Sequence, residues 1–246
     1  MQKEEIIENC KKLLAAYKSG ELGQTKMPED SHPDFENAEL RIAYFTLPMA
    51  LNYQRDSYKL WQSALKTFQD SETKIVFDIE KAASMNKAAL MQSLTKYKLA
   101  LQPNKQTETW QTIAKTIFDN FGTLSNLIKQ ADNDFLKLRD LIQIKHKKGF
   151  PYLSGPKIFN YWSFILQEYG RIKLKNSEFI EIAPDTHITQ CSIKLGLISQ
   201  NEADSLSKEE INNKWRQILA KSGINPIQMH PPLWFWSKNN FQFELK

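Results

Sequence analysis

Three short stretches hold residue types at spacings that can do chemistry. The first is Leu153-Ser-Gly-Pro-Lys157. Gly155 lets backbone approach another group closely, and N–H groups at the start of a following helix can hold a phosphate. Lys145, Lys147 and Lys148 surround that point with positive charge. The plain alternative is an αα-hairpin that does no more than pack two helices. The second stretch is Pro184-Asp-Thr-His-Ile188, where Asp185 is well placed as an N-cap. The third runs from Asn225 to Trp236. There His230 precedes Trp234 by four residues, which puts an imidazole and an indole on one helix face. Its alternative is a packed C-terminal anchor. His32, His146, His187 and His230 show neither helical pairing nor a Cys/His cluster, so no metal site is expected.

Helices must position these stretches, because the dominant period along the chain is helical. Ile6, Ile7, Cys10, Leu13, Leu14 and Tyr17 share one face, and Gly20 follows as a stop. Residues 21–37 are polar, contain Pro28 and Pro33, and read as a loop. Helical pattern resumes at Ala38 and is interrupted at Pro48. Further helices are expected over about Tyr53 to Phe68, over Trp110 to Phe121 before Gly122, and on both sides of the break from Lys147 to Lys157. Ser207 with Glu210 forms a capping box, Gly223 ends that helix, and a last helix starts near His230-Pro231-Pro232. Lys74–Phe77 and Ile172–Ile182 have the composition of strands. The class is all-α: one two-lobed domain over 1–246, with an acidic helix and loop at 1–37, a helix-turn-helix segment at 135–169 and C-terminal helices at 184–246.

Length and composition bound the function. The chain has 246 residues, 41% hydrophobic and 25% charged, which is a globular balance. Only 8 glycines argue against hairpin-rich β folds and glycine-rich phosphate loops. Cys10 and Cys191 can build neither a disulfide framework nor an iron–sulfur cluster, so a reduced, cytoplasmic or otherwise intracellular setting is expected. No apolar run is long enough to span a membrane, and the first residues lack a secretory core. Net charge is +5. Residues 1–40 carry five Lys against nine Asp/Glu, whereas residues 137–176 carry nine Lys/Arg against Asp140 and Glu168. A concentrated basic segment suits a polyanion partner or a solvated lysine face.

The order of the three stretches resembles the helix-hairpin-helix DNA glycosylase superfamily. The resemblance covers about residues 105–240. In that family a hairpin grips the DNA backbone, a lysine just after the hairpin glycine attacks the sugar C1′, and an aspartate opening a later helix assists. Lys157, two residues after Gly155, matches the lysine, and Asp185 matches the aspartate. The hairpin reads Leu-Ser-Gly-Pro-Lys where the common pattern carries a second glycine. The 28 residues from Lys157 to Asp185 and the ending Ser222-Gly-Ile-Asn-Pro-Ile-Gln-Met-His-Pro-Pro-Leu-Trp234 look closest to the archaeal type of 8-oxoguanine glycosylase. His230 falls where that group has a base-reading aspartate, and Trp234 falls on its stacking tryptophan.

The resemblance implies a two-lobed helical fold whose cleft is lined by Lys157, Asp185 and Trp234. It implies removal of an oxidised purine from damaged double-stranded DNA through a lysine Schiff base, with associated lyase activity. Lys145, Lys147, Lys148 and the backbone near Gly155 would contact phosphates, and a monovalent cation held by hairpin carbonyls is admitted by the same analogy. A monomer, associated with the nucleoid, fits that work. Only a neutral lysine is a nucleophile, and a helix N-terminus, neighbouring cations and partial burial all favour the neutral form. A flipped base needs aromatic faces: Trp234, Tyr161 (one turn after Lys157) and Trp162 are candidates, with Trp162 equally suited to the core. Two alternatives stay open: a glycosylase of the same superfamily for another lesion, and a non-catalytic DNA-binding module. A helical protein-interaction domain would leave the coincidence of Lys157, Asp185 and the basic surroundings unexplained.

Overall fold

The computed structural model describes residues 3–23 and 26–245. Among them 67% are helical and none form strands, so the fold is all-α. The α-helices are α1 (Lys3–Ser19), α2 (Ala38–Thr46), α3 (Ser57–Gln69), α4 (Ile79–Ser84), α5 (Lys87–Lys96), α6 (Pro103–Phe121), α7 (Leu124–Gln130), α8 (Phe135–Arg139), α9 (Pro156–Glu168), α10 (Thr186–Lys194), α11 (Gln200–Ser205), α12 (Lys208–Leu219) and α13 (His230–Lys238). A π-helical stretch, Asp140–Lys145, prolongs α8. The chain divides into two compact units: Met27–Asn176, and Met1–Lys26 together with Ser177–Lys246. The acidic 1–37 segment therefore does not act as one piece. Its helix belongs with the C-terminal residues, and its loop from Met27 onward belongs with the central unit.

Local chemistry explains the helix ends. Asp56, Asp78, Thr123 and Asp134 each cap a first turn with a side-chain oxygen. Asp56 starts α3 later than the apolar pattern from Tyr53 suggests. Pro103 and Pro156 occupy the first positions of α6 and α9, where no N–H is needed. The Ser207–Glu210 capping box closes as expected, and α13 begins at His230.

The two strand expectations fail. Lys74–Phe77 is a turn of 3-10 helix, in which Val76 and Phe77 are buried. Residues 172–182 are irregular apart from a short 3-10 turn and one isolated bridge, Lys175 to Asp134. A β-branched run needs a partner edge to become a sheet, and helices occupy that space.

The central unit is built on aromatics. Tyr44 lies against Phe45, Trp61, Phe68 and Phe77, with ring centroids 5.1–5.6 Å apart. The Trp110 indole donates to Val76 O at 2.9 Å, and Trp162 donates to Thr46 Oγ1 at 3.0 Å. Trp162 is fully buried, which assigns it to the core. In the other unit α13 packs on α1 and α10. Tyr17 stacks on Phe235, Cys191 donates to Leu233 O at 3.0 Å, and Trp215 donates to Ser192 Oγ at 3.0 Å.

Candidate active site

In the central unit the basic turn is a chain of tight local hydrogen bonds. Gly149 N bonds His146 O, Ser154 N bonds Phe150 O, and Gly155 N bonds Tyr152 O at 3.0 Å. Gly149 is required by close approach: a Cβ there would lie 2.4 Å from Thr116 Oγ1 on α6. Gly155 has φ −69°, a value open to any residue, and its would-be Cβ meets Tyr152 O at 3.1 Å. The left-handed residue of the turn is Tyr152, at φ +62°. The expected glycine is thus used against the turn's own backbone.

Lys157 is the second residue of α9 and is exposed. No side chain caps the first turn of this thirteen-residue helix, so its end can receive an anion. The partial burial expected of an amine nucleophile is not present. Lys147 and Lys148 are also exposed and enter no ion pair among the described residues. Lys145 pairs with Asp140 at 2.7 Å, so its charge is partly answered within the protein.

Tyr161 lies one turn beyond Lys157 and is half-buried. Its hydroxyl donates to Glu29 Oε1 at 3.0 Å. Glu29 is completely buried, and burial pushes its carboxyl up to about 7. Its other oxygen, the Tyr44 hydroxyl and the Trp61 indole N–H are buried without hydrogen-bond partners. Trp61 Nε1 lies beside the carboxyl without closing a hydrogen bond of normal geometry. Here an acidic side chain, two phenols and an indole form a polar nest inside an aromatic core. The sequence reading missed it, because Glu29 sits in a stretch that looked like solvated loop. The one signal was Met27-Pro28 beside it, an apolar pair in a polar run.

In the other unit Asp185 caps α10, accepting from Ile188 N at 3.0 Å, and it is half-buried. His187 follows it and was not singled out as a site residue by the sequence. Its Nδ1 lies 3.0 Å from Ser237 Oγ, which in turn donates to Gln190 Oε1 at 2.9 Å. With the hydroxyl proton directed at Gln190, Nδ1 is the donor to Ser237. The His187 ring meets Trp234 edge-on at 5.7 Å, and Lys238 Nζ stands 4.4 Å from the Trp234 centroid. Trp234 is half-buried, while His230 is 9% exposed. Asp185, His230 and Trp234 therefore share one unit, and Lys157, Tyr161, Gly155 and the lysines at 145, 147 and 148 share the other.

Burial pushes both thiols, Cys10 and Cys191, up to about 12, which makes them poor nucleophiles. Among the described residues no group of His, Cys, Asp and Glu could hold a metal ion, and no helix is long and apolar enough to cross a membrane. No protein-family model matches the chain, and no curated protein matches it in sequence.

Proposed function

We propose that the chain is a DNA glycosylase with associated lyase activity that excises an oxidised purine, of the 8-oxoguanine kind, from double-stranded DNA. The observation that carries the reading is Lys157, exposed on the uncapped first turn of α9 directly after a basic turn. A lysine there can meet a sugar while the N–H groups and Lys147 and Lys148 hold phosphates. In the reaction the Lys157 amine forms a bond to C1′ as the N-glycosidic bond breaks and the base leaves with a proton. The C1′–O4′ bond then opens to O4′–H as the nitrogen gives up its second proton, leaving an imine, and loss of a C2′ proton expels the 3′ phosphate. By the family resemblance, Asp185 takes the role of stabilising positive charge at C1′ and passing protons, and Trp234, Tyr161 and His230 the role of base recognition. Glu29, enclosed in the core, holds the Tyr161 hydroxyl. A monomer working in the cytoplasm at the nucleoid fits this task, and a monovalent cation at the turn carbonyls would be an accessory to DNA binding.

One observation favours a second reading. An exposed lysine at a helix start also suits a module that only binds DNA, or a relative for another lesion. Borohydride reduction over a panel of duplexes, each with one damaged base, separates them. The glycosylase/lyase forms a covalent adduct that Lys157→Gln abolishes. A protein that binds duplexes yet traps on none of the panel is the binding module.

A further inference from the structure

In the central unit a strap is fastened to α9. It runs from Met27 through the 3-10 turn Pro28–Asp30 to Phe35. The two adjacent acids of the turn reach two phenols spaced eight residues apart along α9 and its end. Tyr161 donates to Glu29 Oε1 at 3.0 Å, and Tyr169 donates to Asp30 Oδ1 at 2.8 Å. Rings complete the fastening. His32 lies 6.3 Å from Tyr169 and 5.8 Å from Phe45 between centroids, and Phe35 packs on Tyr44, Phe45 and Phe68. The backbone contributes nothing to it. Among the described residues the strap's one backbone hydrogen bond is internal, Asp30 N to Met27 O at 3.2 Å, and none ties it to another element. A segment held by side chains alone opens at a lower cost than a core helix.

What the strap closes over sets its behaviour. Met27 and Pro28 bury apolar surface, but Glu29 carries a carboxyl into the aromatic core with no exposure at all. The groups that face this carboxyl are Asp30 on its own turn, Tyr44 on α2, Trp61 on α3 and Tyr161 on α9. None of them is a cation. An enclosed carboxylate with no cation is costly, whereas the neutral acid is tolerated. The closed strap therefore favours the protonated form, and an open, hydrated strap favours the ionised one.

We propose that residues 27–35 are a proton-operated strap, shut over Tyr161 and Trp61 while Glu29 holds its proton and released from α9 as Glu29 ionises. In the closed strap burial pushes the carboxyl from 4.5 up to about 7. Below about pH 4.5 open and closed forms both hold the proton, and the strap is at its tightest. Between 4.5 and about 7 only the open form gives the proton up, so opening grows by up to about tenfold per pH unit. Above about 7 both forms are ionised and the open fraction levels off. Release uncovers the Tyr161 hydroxyl, one turn beyond Lys157 on α9. The inference does not rest on the DNA reading, and its test uses no DNA.

Hydrogen exchange of the indole N–H groups, followed by NMR on the full chain, tests it. Trp61 Nε1 is buried beside the Glu29 carboxyl, whereas Trp110 and Trp162 donate to Val76 O and Thr46 Oγ1 in the same unit. After correction for the exchange of free indole, Trp61 should be less protected than either at every pH. Its protection should fall about fiftyfold from pH 5 to pH 7.5. Glu29→Gln should remove that pH dependence, whatever constant offset the variant carries. Tyr169→Phe covers the case in which Glu29→Gln does not fold. It keeps the ring beside His32 and Phe45, loses the bond to Asp30, and should lower Trp61 protection about fivefold at each pH with the profile unchanged. Trp61 protection equal to that of Trp110 and Trp162 means that the strap opens only when the whole unit unfolds, and overturns the proposal. So does protection that is the same at pH 5 and pH 7.5, a pH dependence that survives in Glu29→Gln, or no change in Tyr169→Phe.

Discussion

Replacing Glu29 by Gln tests the most unusual group in the central unit. Glu29 is completely buried, and its carboxyl is raised from 4.5 to about 7 by desolvation, only partly offset by the bonds it accepts. Below about pH 4.5 the folded and unfolded chains both hold the proton, and the group costs nothing by titration. Between 4.5 and about 7 the folded chain keeps a proton that the unfolded chain has released, so stability falls as pH rises. At about 1.4 kcal/mol per pH unit the whole interval amounts to roughly 3 kcal/mol, fully lost above pH 7. Gln does not titrate. It puts an NH2 donor where Glu29 has its second oxygen, so the variant carries a fixed offset. The informative quantity is therefore a difference of differences. Urea unfolding, followed by circular dichroism at pH 4.5 and pH 8, should show the stability of Glu29→Gln relative to wild type improving by roughly 3 kcal/mol on going to the higher pH. An unchanged difference at the two values would refute the account of Glu29 as a carboxyl held neutral by burial.

Asp185→Asn keeps the cap on α10, because Asn caps about as well as Asp; thermal unfolding should shift little while base excision falls by orders of magnitude in a single-turnover assay. Lys147→Ala with Lys148→Ala should weaken binding to all duplexes alike and lower the salt slope by roughly one per lost contact, read by anisotropy. Trp234→Ala should lose roughly 1–3 kcal/mol of affinity for a duplex bearing a damaged base, with no comparable loss on an abasic duplex.

The elements that sequence rendered well are those with local signals. Asp185 and the Ser207–Glu210 pair announce helix starts through their own side chains, and both caps are present. The His230-Pro231-Pro232 start is likewise written into residues that suit a first turn. Short α4, α5, α7 and α11 escaped notice because six to ten residues give the apolar period too few repeats to register. Lys74–Phe77 misled because β-branched composition records burial as readily as strand. Candidate site residues were legible as types and spacings, not as surroundings. Nothing local told that Trp162 spends its indole N–H on Thr46, that Glu29 is enclosed, or that Lys157 is exposed, since each depends on segments far away in sequence.

The same anchoring device appears in both units, behind the residues on which the functional reading depends. In the central unit Thr46 Oγ1 gives its proton to Ile42 O at 2.7 Å and accepts the Trp162 indole. In the other unit Ser192 Oγ gives its proton to Ile188 O at 2.8 Å and accepts the Trp215 indole. Each hydroxyl is satisfied twice, so neither indole leaves a buried donor unpaired. Trp162 lies five residues beyond Lys157 on α9, and Ser192 seven residues beyond Asp185 on α10. Each helix is thus pinned to its own core within two turns of the end that carries the reactive group. A side chain at such an end inherits the rigidity of the pin, whereas one in a free loop does not.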